Sequence, residues 1–131
     1  MTTFEKKFSR RHWLAAAAGT TLVPHSWAQA YPDRPVKIIV PFAPGGPSDI
    51  MGRWLAQRLG ERTGKSFVVE NIAGAGGNIG TEVIARAKPD GYTIGMGNFA
   101  PLAVNHALFK KLNFDPANDI VPIGLIEKGP L

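Results

Sequence analysis

One stretch constrains the fold more than any other: Val36-Lys37-Ile38-Ile39-Val40-Pro41-Phe42-Ala43-Pro44-Gly45-Gly46-Pro47-Ser48-Asp49-Ile50-Met51. Ile38, Ile39 and Val40 form a short unbroken apolar run, the pattern of a strand buried on both faces. Pro41 and Pro44 end it, because proline has no N–H for a ladder. Gly45 and Gly46 open a turn that bulky residues resist. Ser48 is a favourable N-cap, and Asp49 places a carboxylate in the first helical turn, where the macrodipole favours it. A strand, a bare-backbone loop and a helix N-terminus aim free N–H groups at one point, an arrangement suited to an anion.

The pattern returns further on. Phe67-Val68-Val69-Glu70 reads as a strand, Asn71 to Gly80 as a glycine-rich turn, and the residues from Thr81 to Ala87 as the continuation of a helix. Two strand–loop–helix units in succession predict a parallel sheet, with both loops at the carboxyl ends of neighbouring strands, where such sheets bind ligands. The expected elements are strand 36–41, helix 48–62, strand 66–70, helix 78–87, strand 92–97, a short helix from Pro101 and a fourth strand over 120–126. Ile50, Met51, Trp54, Leu55 and Leu59 supply the apolar side of the first helix, and Gly60 or Gly64 its stop. Lys88-Pro89-Asp90-Gly91 is a turn signal. The fold class is therefore α/β, a parallel sheet flanked by helices.

Residues 1–30 have a different character. Lys6, Lys7, Arg10 and Arg11 precede an apolar stretch at 13–23, and Ala28-Gln29-Ala30 is an A-x-A cleavage site. The apolar stretch falls short of the roughly 20 residues a membrane span requires. This is an export leader removed after Ala30, so that Tyr31 begins the mature chain. Ser9-Arg10-Arg11-His12-Trp13-Leu14 fits a twin-arginine signal, and adjacent arginines also fit a Sec signal. Residues 31–131 are then the first part of domain one of a larger protein. They are short for a self-sufficient α/β domain and end without a helix to cover the last sheet face.

Composition removes several function classes. With 44% hydrophobic and 19% charged residues the chain has a globular composition. It contains no cysteine, which excludes disulfides and thiolate metal sites. Much of the net charge of +5 sits in the leader, and the remaining cations are scattered, so no nucleic-acid footprint is expected. His106 is the only histidine after the leader and has no partners for a metal site, and Ser48 lacks the G-x-S-x-G elbow of a hydrolase. No cofactor is expected.

The same residues carry a family resemblance. The run from Tyr31 to Asp49 resembles the opening of the tripartite tricarboxylate transporter substrate-binding proteins, the TctC or Bug family of periplasmic receptors. Val69 to Gly80, Lys88 to Gly97 and Leu108 to Pro116 resemble three further signatures of that family. The resemblance implies a two-domain Venus-flytrap fold that closes on a small organic carboxylate and docks a membrane permease, and no enzymatic activity. It implies ligand contacts from Pro44, Gly45, Gly46, Ser48 and Asp49, from Gly74, Ala75, Gly76, Gly77 and Asn78, and from Asn98 and Phe99 after the third strand. Asp49 would repel an anion, so its expected role is to accept N–H groups at the helix start or to orient water. For the second loop, helix–strand packing that needs small residues is the competing reading. Two departures stand out. Pro47 occupies a position usually flexible or polar, and Ile72 and Ala73 stand where a cation and then a proline are common, which leaves Asn71 without a local positive charge.

Two other classes stay open. An exported nucleotide-dependent oxidoreductase would need G-x-G-x-x-G after the first strand, whereas Gly74, Gly76, Gly77 and Gly80 follow the second with the last glycine one position late. A truncated receptor that no longer works is the other.

Overall fold

The computed structural model describes residues 31–128; the leader and its Ala28-Gln29-Ala30 site lie outside the described residues. Strand β1 (Val36–Val40) leads into helix α1 (Pro47–Thr63), then β2 (Phe67–Asn71). A 3-10 turn (Ala75–Gly77) opens α2 (Asn78–Ala85), and β3 (Thr93–Gly95) leads into a π-helical turn (Ala100–Val104) continued by α3 (Asn105–Leu108).

The three strands are parallel in the order β2-β1-β3, so β1 is central. Val36 pairs with Phe67 and Val40 with Asn71 on one side, while Ile39 pairs with Gly95 on the other. The central position explains the unbroken apolar run: Val36, Ile38, Ile39 and Val40 are all buried. On one face, Ile38, Val40 and Met96 pack against Met51, Leu55, Ala56 and Leu59 of α1. Strand side chains alternate between faces, so Ile39 and its neighbour Gly95 point the other way. There, the missing side chain of Gly95 admits Ile84 of α2. The two helices therefore cover opposite faces.

Several boundaries differ from expectation, each for a physical reason. Helix α1 is capped by Gly46 and begins at Pro47, whose absent N–H costs nothing at a first helical position. Ser48 falls inside the first turn and makes no capping bond. Gly64 ends α1 in the left-handed conformation, φ 67°, its N–H donating to the Gly60 carbonyl. Ile50 and Trp54, assigned to the apolar side of α1, are 61% and 49% exposed; the core takes Met51, Leu55, Ala56 and Leu59. Strand β3 is shorter than expected, at Thr93–Gly95.

The fourth strand is the clearest correction. Residues 120–126 have no regular structure, and Val121, Ile123 and Leu125 are 84%, 84% and 80% exposed. A strand needs a ladder partner, and none pairs with residues 120–126 among the described residues. Pro122 also removes a donor from the middle of the run.

At the amino edge of the sheet, the lead-in is pinned to the turn before β3. The Tyr31 hydroxyl donates to the Gly91 carbonyl at 2.6 Å, and the Tyr92 hydroxyl donates to Asp33 at 2.6 Å. Arg34 pairs with Asp90 at 3.1 Å and lies 4.1 Å from the centre of the Tyr92 ring. This leaves the opposite, carboxyl edge for the loops of interest. Among the described residues, no helix is long and apolar enough to cross a membrane.

Candidate functional site at the carboxyl edge of the sheet

Because β1, β2 and β3 run parallel, the loops that follow them leave the sheet at one edge. The chain steps from β1 to β2 on one side and then crosses to β3 on the other. The carboxyl ends of β1 and β3 thus flank a point where the winding reverses, the place where open α/β sheets form a crevice.

The first loop ends at the N-terminus of α1. Gly45 takes φ 83°, which favours glycine, while Gly46 is extended at φ −80° and ψ 169°. The Gly46 carbonyl accepts the N–H groups of Asp49 and Ile50, both at 3.0 Å. Neither the Gly46 nor the Ser48 N–H has an acceptor among the described residues, so two donors stand at the positive end of a 17-residue helix. The Gly45 N–H is different, because it donates to Asp49 Oδ2 at 2.8 Å.

Asp49 is 3% exposed, and protein donors occupy both its oxygens. Arg53 Nε donates to Oδ2 at 3.0 Å and Asn71 Nδ2 to Oδ1 at 2.9 Å. The Arg53 hydrogen bond above all, then the Gly45 N–H and Asn71, lowers the Asp49 pKa from 3.8 to about 2. A carboxylate so engaged is held against the loop by Gly45, Arg53 and Asn71. The cation missing from the sequence around Asn71 comes from elsewhere: Arg53 Nη2 donates to Asn71 Oδ1 at 3.2 Å. The position of Arg53, 18 residues before Asn71, gave no local signal.

The second loop divides its glycines between two tasks. Gly74, Ala75, Gly76 and Gly77 all have positive φ, from 47° to 137°. Gly77 is buried, and a side chain there would meet the Phe42 ring at 3.1 Å and Pro101 at 3.3 Å. Gly80 sits against the backbone of Pro41 and Ile72. Gly77 and Gly80 therefore serve packing, the competing reading for this loop, while Ala75 and Gly76 are exposed at the edge. Asn78, expected to face a ligand, is buried, and its Oδ1 accepts from Asn105 Nδ2 at 2.6 Å.

Asn105 also donates to the Gly76 carbonyl at 3.1 Å, tying the second loop to the helical turn after β3. Sequence reading missed it. The available signal was a polar residue inside the apolar run Leu102, Val104, Leu108. In the third loop, Asn98 Oδ1 accepts the Ala100 N–H at 3.2 Å and helps start the π-helical turn, while Phe99 is exposed.

Among the described residues no group of histidine, aspartate or glutamate is placed to hold a metal ion. A hollow lined by Leu102, His106, Phe109, Lys110 and Phe114 shares no residue with the three loops.

Residues 51–131 match the family described as Tripartite tricarboxylate transporter family receptor. The chain belongs to this family. Protein BugT of Bordetella pertussis is 44% identical over 105 residues, covering 79% of this chain and 32% of its own length. An Agrobacterium vitis relative is 40% identical over 128 residues, covering 91% of this chain and 35% of its own. Among solved structures, a Rhodopseudomonas palustris protein determined with adipate superposes with TM-score 0.65 at 39% identity, covering 66% of this chain and 29% of its own. MatC from the same organism, with bound malate, gives TM-score 0.64 at 37% identity, covering 68% and 30%. The fold of this family member is thus that of the periplasmic binding proteins. It spans about a third of the length of the curated relatives it matches.

Proposed function

We propose that residues 31–131 form the first part of domain one of a periplasmic receptor that captures a small organic carboxylate and presents it to a membrane permease. The observation that carries this reading is the pair of unclaimed donors, Gly46 N–H and Ser48 N–H, at the N-terminus of α1 on the loop edge of the sheet. Backbone donors at a helix start recognise a carboxylate by charge and direction. The nearby acid does not oppose them, because Asp49 is buried and paired with Arg53. Pro44 and Gly45 shape the approach, and Gly74, Ala75, Gly76 and Phe99 border it. Relatives determined with adipate and with malate favour the same ligand class. A second domain would close over the ligand by hinge motion, and the closed form would dock the permease. Export by the leader, with cleavage after Ala30, delivers the chain to the periplasm.

Calorimetric titration of the full-length receptor, second domain included, with adipate, malate and citrate, and with the corresponding amides, tests the assignment. Saturable binding of an acid and loss of about 10–100-fold in affinity for its amide is expected, since a hydrogen bond to a charged group contributes ~1.5–3 kcal/mol. Equal binding of acid and amide would overturn it.

A further inference from the structure

We infer that Asn71 is a positioning residue that locks the first loop of the edge to the end of β2 and so preorganises the donors of α1. The proposal rests on the receptor reading for its link to affinity; the lock itself rests on geometry alone. Asn71 is the last residue of β2 and pairs with Val40, the last residue of β1. Its side chain uses its full donor capacity: Nδ2 donates to the Phe42 carbonyl at 3.1 Å and to Asp49 Oδ1 at 2.9 Å. Its Oδ1 accepts from Arg53 Nη2 at 3.2 Å. Two acceptors lie on one side of the amide and a cation on the other, so the environment specifies asparagine. Aspartate would set an acceptor against the Phe42 carbonyl and the Asp49 carboxylate, and an aliphatic residue would leave all three partners without it.

The lock extends through Asp49. The carboxylate held by Asn71 at Oδ1 holds the Gly45 N–H at Oδ2. The loop is thus fixed at its entry, by the Phe42 carbonyl, and just before the helix, by the Gly45 N–H. Between them these bonds set where the Gly46 and Ser48 N–H groups point. Donors fixed in advance bind without the entropy loss of ordering a loop.

The test is amide hydrogen exchange, followed by NMR, on the full chain and on Asn71→Asp, with Asn71→Ala as a second variant should the first not fold. Exchange at the Gly45 amide is expected to accelerate at least 10-fold while the β1 amides of Ile38 and Ile39 keep their protection. The Asp49→Asn/Asn71→Asp double variant, which returns a donor–acceptor pair between positions 49 and 71 but not the donor to the Phe42 carbonyl, is expected to recover part of that protection. Unchanged Gly45 exchange in a folded variant overturns the lock. Titration with adipate and malate separates the two readings. A parent chain that binds, with at least a 10-fold loss in the variant, supports the role in affinity. Unchanged affinity in a variant whose loop exchanges faster overturns that role. A full-length receptor, second domain included, that binds no acid with Asn71 in place overturns the receptor reading, and the exchange data still decide the lock.

Discussion

Asp49 and Gly46 stand three residues apart on one helix start, and opposite physical demands fall on them. The Asp49 pKa is depressed to about 2 from 3.8, so its interactions with Arg53, Gly45 and Asn71 stabilise the fold in full above pH 3.8 and are lost as pH falls towards about 2. Asp49→Asn is therefore expected to lower the urea midpoint at pH 6, and to lower it less at pH 2, where about half of the parent carboxylate is itself protonated. An equal loss at both pH values would show that the charge of Asp49 contributes nothing. Gly46 tells binding apart from folding. Its φ of −80° suits any residue, and an added Cβ would meet only the Ala43 carbonyl oxygen, at an ordinary 3.6 Å. Aspartate is also a good N-cap, better than glycine by a few tenths of a kcal/mol. Gly46→Asp is thus expected to keep or slightly raise the melting temperature while reducing carboxylate affinity by at least ~100-fold, because like charges about 4 Å apart repel by ~4 kcal/mol at an effective dielectric constant of ~20. A folded variant that binds as the parent does would remove Gly46 from the site. The glycines of this loop were legible in sequence because their residue type announces a bare backbone. Arg53 and Asn105 were not, because each acts on a partner that only the folded sheet brings near.

Among the elements, the close approach of α2 to the sheet depends on Gly80. A Cβ at this position would lie 2.5 Å from the Ile72 carbonyl oxygen and 2.6 Å from Pro41 Cα, both backbone atoms that cannot rotate away. Gly80→Ala is expected to destabilise the chain by ~1–3 kcal/mol, as overpacking does, despite the better helix propensity of alanine. Gly124 has no atom within 4 Å of an added Cβ and serves as the control, so Gly124→Ala is expected to leave the urea midpoint in place. Equal midpoints for both variants and the parent would refute the packing argument. The elements themselves were readable where burial and local chemistry agreed. The apolar run of β1 met a central position in the sheet, and Gly64 met a left-handed helix stop. They were misread where the two disagreed. Serine is a better cap than glycine in isolation, but Pro47 fixes the first helical residue one position before Ser48, and that decides the register of the start. Helical spacing likewise grouped Ile50 and Trp54 with Met51 and Leu55. The sheet is narrow on that side, with only β2 beyond β1, and the outer two residues of the apolar arc are left in solvent.

At the scale of the whole molecule, the governing fact is surface left without a partner among the described residues. Strand β3 is an edge of the three-stranded sheet, and the apolar residues Val121, Ile123 and Leu125 lie in solvent. A sequence can announce such residues as a strand by their alternation, but it cannot supply the neighbour that turns them into one. An unpaired strand edge and an exposed apolar run are each templates for association with another chain. The 131-residue chain is therefore expected to self-associate at concentrations on the order of 100 μM, where exposed apolar surface drives aggregation. Charge on the run opposes that pairing, so the Ile123→Lys/Leu125→Lys variant is expected to shift the chain towards monomer in sedimentation velocity. Its far-ultraviolet circular dichroism is expected to match the parent, because neither residue packs in the fold. A parent chain that sediments as a monomer at that concentration would refute association through the edge and the run.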